Sequence, residues 1–187
     1  MNTLSAVNGR VVILSGPSGV GKDTVLEAWI AADPRVAKVV TSTTRPMRPG
    51  ETAGCDYDFL TPEQFEAKRK AGDFLEAKNV HGNWYASPRE GTDRLINEGR
   101  IAVLKIDVQG AIEVMTQLPE AITIFLMPPS REALEARIRG RGTEEESVIA
   151  RRLADAEGEL AEAHRYQHRV VNDNLAQTVR ELTALLP

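Results

Sequence analysis

The chain has 187 residues, enough to bury one substantial α/β core with small inserted lobes. Hydrophobic residues make up 42% and charged residues 27%, ordinary proportions for a folded globular protein that argue against disorder, and no apolar run approaches the length of a membrane-spanning helix. A formal net charge of -4 argues against a general nucleic-acid binder, yet arginines cluster around Arg45 and Arg48 and again from Arg137 to Arg152, a pattern suited to small polyphosphate ligands. Residues 1–9 lack the basic patch and apolar stretch of an export signal, so the expected location is cytoplasmic, with neither nucleic acid nor membrane as partner.

In chain order, residues 11–14 form a short, β-branched apolar run that enters a glycine-rich turn, as a buried strand of a parallel sheet does. Val25, Leu26, Trp29 and Ile30 then recur at helical spacing until Asp33-Pro34 ends the helix. Residues 36–41, 101–107 and 122–127 read as further buried strands and Val170-Val171 as a fifth, with a last helix over 175–186. Together these predict an α/β fold of the three-layer P-loop type around a parallel sheet, with 1–44, 88–136 and 165–187 as core.

Two inserts interrupt that core. Over 45–87 the pattern turns to short strands around a helix that Thr61 caps, with Pro62 in its first turn and Gln64 completing a capping box. This lobe also holds the lone cysteine, Cys55, which has no disulfide partner in the chain and fits a reducing compartment. Over 137–164, Gly140 and Gly142 break a helix begun near Ser130, and Thr143 with Glu146 offers a second capping box; a glycine-flanked, arginine-rich connection reads as a lid.

Gly16-Pro17-Ser18-Gly19-Val20-Gly21-Lys22 stands between the first strand and the first helix, the context that a phosphate loop requires. Its glycines let successive backbone N–H groups face phosphate oxygens, the helix start adds partial positive charge, and Lys22 neutralises the β and γ phosphates. Asp23 occupies the position where a hydroxyl ordinarily meets Mg²⁺, and Thr24 follows it; metal contact is expected to run through water, with Mg²⁺ arriving alongside ATP.

The segment Thr41-Ser42-Thr43-Thr44-Arg45-Pro46-Met47-Arg48-Pro49-Gly50-Glu51 resembles the acceptor-binding segment of the guanylate kinase family. The likeness continues through Asp56-Tyr57-Asp58-Phe59, Phe74-Leu75-Glu76, Gly82-Asn83-Trp84-Tyr85-Ala86-Ser87, Ile106-Asp107-Val108-Gln109-Gly110, Arg139-Gly140-Arg141-Gly142 and Val171-Asn172-Asp173, nearly the whole chain. It implies phosphoryl transfer from ATP to GMP or dGMP by a monomer or homodimer. It also implies an acceptor site of Thr41, Arg45, Arg48, Tyr57, Glu76, Tyr85, Ser87 and Asp107. Among these, arginine forks and phenols meet the phosphate, Glu76 with Asp107 meets the guanine N1 and N2 donors, and the Ser87 and Thr41 hydroxyls meet O6. On the donor side it implies residues 16–24 with Asn172 near the adenine, and Lys22, Arg45, Arg137, Arg141 and Arg152 as the cations of the transfer. No general base is expected, and His81, His164 and His168 are assigned to surface or packing.

The family commonly carries an Asp two residues before Asp107, where this chain has Lys105. Residues two apart on a strand share a face, so Lys105 is expected beside the phosphates, where it could form an ion pair with the equally unusual Asp23. Two other readings stay open: a ribose 1,5-bisphosphate phosphokinase, whose phosphate loop can share the Gly-Lys-Asp ending, and the phosphopeptide-binding guanylate-kinase-like domains of scaffold proteins, which typically lack an intact phosphate loop.

Overall fold

A computed structural model describes residues 9–80, 82–140 and 145–187. Its central sheet contains β1 (Arg10–Ser15), β2 (Val36–Lys38), β7 (Ile101–Lys105), β8 (Ile122–Met127) and β9 (His168–Val171), all parallel, in the order β2-β7-β1-β8-β9. Alternation along β1 explains why both faces must be covered. Ile13 joins one apolar cluster with Leu104, Phe125 and residues of α3 (Arg89–Asn97) and α4 (Val108–Gln117). Val12 and Leu14 join another with Val103 and Leu126, closed by α1 (Lys22–Ala32) and α7 (Leu175–Ala184). Trp29 of α1 is fully buried there, its indole N–H donating to Thr183.

The second sheet lies largely in the inserted lobe: β3 (Ser42–Thr43), β4 (Asp58–Phe59), β5 (Phe74–Val80) and β6 (Asn83–Pro88), in the order β4-β3-β6-β5. Its helix α2 (Pro62–Ala71) starts as expected, with Thr61 accepting from the Gln64 amide and the Gln64 side chain accepting from the Thr61 amide. Phe65 of α2 packs on Phe74 and Trp84, which gives the lobe its own small core.

Several boundaries depart from the sequence reading. The strand expected over 36–41 ends at Lys38, because the chain leaves the central sheet and Ser42 and Thr43 pair with β6 and β4 instead. The strand expected to reach Asp107 ends at Lys105, and Asp107 caps α4 by accepting the Gly110 amide at 2.9 Å. The final strand starts earlier, at His168, and the last helix stops at Ala184. Ser130 caps α5 (Arg131–Arg139), but α6 (Glu146–Ala161) starts after Glu145, and the proposed Thr143 cap lies outside the described residues. No described helix is long and apolar enough to cross a membrane.

Candidate active site

The carboxyl ends of β1, β7 and β2 converge on one edge, where loops leave the sheet and a ligand cleft can form. On the donor side the loop after β1 depends on its glycines. Gly16 has φ +146°, and a Cβ there would meet the Leu126 carbonyl oxygen at 2.5 Å; Gly21, at φ +97°, would press on the Asn172 amide at 2.9 Å. Lys22 folds back so that Nζ donates to the carbonyls of Gly16 (2.5 Å) and Pro17 (3.1 Å). Burial lowers its pKa, and the charge of Lys105 adds to that effect against the opposing influence of Glu159 and Asp23. Ser18 is held from the lid side, its amide donating to Glu159 and its hydroxyl accepting from Arg152.

A cleft of about 460 Å³ beside this loop is lined by Gly19, Val20, Gly21, Thr24, Arg137, Gly140, Asn172, Asp173 and Leu175. Arg137 donates to the carbonyls of Val20 and Asn172, and the buried Asn172 amide donates to Val20 at 2.8 Å, so the end of β9 is tied directly to the phosphate loop. The expected donor residues Thr24, Arg137, Arg152 and Asn172 therefore gather around one loop; Arg141 lies outside the described residues.

A second cleft of about 260 Å³, where the acceptor is expected, is lined by Lys38, Thr41, Tyr57, Glu76, Lys78, Val80, Tyr85, Lys105, Ile106 and Asp107. The β5–β6 hairpin explains why these side chains meet: Glu76 stands opposite Ser87 and Lys78 opposite Tyr85, and alternate residues of each strand share a face. Glu76 is 7% exposed, and its Oε1 accepts the Ser87 hydroxyl at 2.7 Å. Burial pushes its pKa up to about 7; the Ser87 bond opposes the rise, while Asp107 and Glu113 add to it. A carboxylate so confined is suited to meet paired N–H donors. Gly110 leaves room for it, since a Cβ there would come within 3.0 Å of Glu76 Oε2.

In this structure the Ser87 hydroxyl donates to Glu76 and so orients that carboxylate. Asp107 was placed at a strand end; it is the α4 cap, with its other oxygen 2.9 Å from Lys78 Nζ. Arg45 lies over the rings of Tyr57 and Phe59 and is clamped by Glu51 at 2.6 Å, while Glu51 also accepts the Arg48 amide. That carboxylate holds the Arg45 guanidinium and the Arg48 backbone; neither arginine is among the residues lining the cleft with Glu76.

Between the two clefts the expected ion pair is present: Lys105 Nζ contacts Asp23 Oδ1. Burial works against the charge on Asp23, but Lys105, with Lys22 and Lys38 behind it, holds the carboxyl below its ordinary range.

Lys38 and Lys78 were missed from sequence. Lys78 was detectable, standing two residues after Glu76 and so on the same strand face. Lys38 ends a buried parallel strand, as Lys105 does, and a cation in that position points at the ligand edge. Burial and the neighbouring Lys105 both lower its pKa, and its ammonium donates to the Asp56 carbonyl beside the Tyr57 ring.

The guanylate kinase family model matches residues 8–187. The chain is 43% identical to the guanylate kinase of Symbiobacterium thermophilum, covering 95% of this chain and 84% of that one. It is 46% identical to that of Nitratidesulfovibrio vulgaris, covering 95% and 86%. The crystal structure of guanylate kinase from Anaplasma phagocytophilum superposes with a TM-score of 0.74 at 30% identity, covering 95% of this chain and 84% of that one. Agreement over nearly the whole chain establishes that this chain belongs to the guanylate kinase family.

Proposed function

We propose that this chain transfers the γ-phosphoryl group of ATP to GMP, and that the acceptor is chosen by Glu76. The observation that carries the choice is a buried carboxylate, oriented by Ser87, with Asp107 beside it in the acceptor cleft. Guanine presents N1–H and N2–H donors together; adenine presents an unprotonated N1 and no 2-amino group, so the carboxylate would be left facing an acceptor.

ATP lies with its phosphates on the loop 16–21 and Lys22, and its base toward Asn172, Asp173 and Leu175. The acceptor phosphate is held by Tyr57 and Tyr85, which line the cleft with Thr41, and by Arg45 over the Tyr57 ring with Arg48 three residues on. An oxygen of that phosphate attacks the γ-phosphorus while the bond to the β–γ bridging oxygen breaks and ADP departs. The attacking oxygen is already anionic, so the residues position the reactants and offset charge without a general base. Arg137 and Arg152, from α5 and α6, hold the phosphate loop on the lid side, and the segment carrying Arg141 connects those helices.

Thr24 on the donor cleft and the neighbouring Asp23 supply one hydroxyl and one carboxylate. This donor set fits a Mg²⁺ held mainly by nucleotide phosphates and water. Such an ion would supply charge neutralisation to the nucleotide phosphates.

The test is a coupled ADP-release assay with ATP and, separately, GMP, AMP and ribose 1,5-bisphosphate. GMP is expected to exceed AMP in kcat/KM by about 10⁴-fold, the discrimination available when buried polar groups lose their partners. Comparable values for GMP and AMP, or a preference for ribose 1,5-bisphosphate, would overturn the reading.

A further inference from the structure

Three neighbouring strands lead to lysines at the ligand edge. Lys38 ends β2, Lys105 ends β7, and Lys22 follows β1 through the phosphate loop. Lys105 belongs to the middle strand. It lines the acceptor cleft with Lys38, Tyr57 and Glu76, yet its ammonium is paired with Asp23 in the first turn of the donor helix. Its side chain is 21% exposed, whereas that of Asp23 is 67% exposed, so a largely buried cation is held by a carboxylate at the solvent side.

This placement matters because the γ-phosphoryl group must cross from the loop at the end of β1 to the acceptor phosphate, and the end of β7 lies between them. In flight the group carries its charge on three equatorial oxygens, where fixed cations are most effective. An ammonium has three N–H donors and Asp23 engages Lys105 through one carboxylate oxygen, so donors remain for a phosphoryl oxygen. Asp23 also answers the repulsion between Lys105 and Lys22, which would otherwise set two ammonium groups against each other. When anionic phosphates arrive they take over that task, and the attraction holding Lys105 to Asp23 gains a competitor.

We propose that Lys105 is a catalytic residue of the transfer: its ammonium, held by Asp23 in this structure, turns onto the equatorial oxygens of the phosphoryl group as that group crosses between the clefts, with Asp23 as its positioning residue. Lys105 stays protonated throughout; the new P–O bond forms to the acceptor oxygen, and the electron pair of the broken bond leaves on ADP. The inference rests on ATP and GMP being the substrates.

The full chain is assayed as wild type, Lys105→Met, Lys105→Gln, Lys105→Arg and Asp23→Asn, with kcat and both KM values from steady-state kinetics and GMP affinity from calorimetry. Lys105→Met is expected to lower kcat by about 10²-fold or more, a larger factor than any accompanying change in either KM or in the GMP Kd. Lys105→Gln serves the same purpose if the methionine variant does not fold. Lys105→Arg should recover about tenfold of the loss, and Asp23→Asn should lower kcat by less than Lys105→Met does. A kcat within about threefold of wild type in either neutral variant, or a loss confined to KM, overturns the proposal. A wild-type chain that fails to phosphorylate GMP overturns the substrate reading instead, which separates the two failures.

Discussion

The donor and acceptor sides of the cleft are built on different principles. On the donor side the contacts are mostly to backbone: Lys22 rests on two carbonyls of its own loop, Arg137 on the carbonyls of Val20 and Asn172, and Asn172 again on Val20. On the acceptor side polar and charged side chains answer one another: Arg45 with Glu51, Lys78 with Asp107, and Ser87 with Glu76. A backbone cradle recognises phosphates, which all nucleoside triphosphates share. A set of paired side chains can distinguish one base from another, because a wrong base leaves a buried charge without its complement. The two sides should therefore respond differently to mutation.

The largest effect is expected at Lys22. Lys22→Ala removes a cation from the phosphates while leaving the glycine-shaped loop in place, so kcat should fall by about 10³-fold, with the melting temperature in the absence of nucleotide close to that of wild type. Steady-state kinetics and thermal melting on the same preparation check this. Near-normal turnover would break the comparison by showing that the loop does not serve the donor.

A smaller effect, this time on stability, is expected at Glu76. Its folded-state pKa of about 7 lies above its ordinary 4.5, so ionising it works against folding. The contribution of Glu76 to stability is complete below about pH 4.5 and is lost as the pH rises through 7. Glu76→Gln keeps an oxygen for the Ser87 hydroxyl but cannot ionise. It should be more stable than wild type at pH 8 by on the order of 2–3 kcal/mol, with the advantage reduced to about 1 kcal/mol or less at pH 5 and gone below about pH 4.5. Denaturant unfolding at the two pH values measures it, and equal stability at pH 8 would show that the carboxylate is not held under that constraint.

The same contrast governs what could be read from the sequence. The donor side was legible almost residue by residue, because a phosphate loop is local: strand, glycine turn, lysine and helix are consecutive from 11 to 32. The lobe helix was legible for the same reason, since Thr61, Pro62 and Gln64 act within one turn. The acceptor cleft is assembled from β2, β5, β6 and β7, whose mutual placement no local pattern records. Family resemblance supplied Glu76, Tyr85 and Ser87, but not the hairpin register that turns the Ser87 hydroxyl onto Glu76. Lys38 and Lys78 match no motif; Lys78 is within reach of strand periodicity from Glu76, whereas Lys38 comes to the ligand edge through the sheet order. Lys105 is the intermediate case. Strand periodicity placed it on the ligand side, and its pairing with Asp23 followed from two departures that complement each other in charge.

The most direct test of side-chain selection at the acceptor is the ratio of kcat/KM for GMP over AMP, measured in wild type and in Glu76→Gln under identical conditions. The wild-type ratio should be about 10⁴, and in the variant it should fall to about 10² or below, chiefly through loss of activity toward GMP. A Glu76→Gln enzyme that keeps the wild-type ratio would contradict the assignment of base selection to this buried carboxylate.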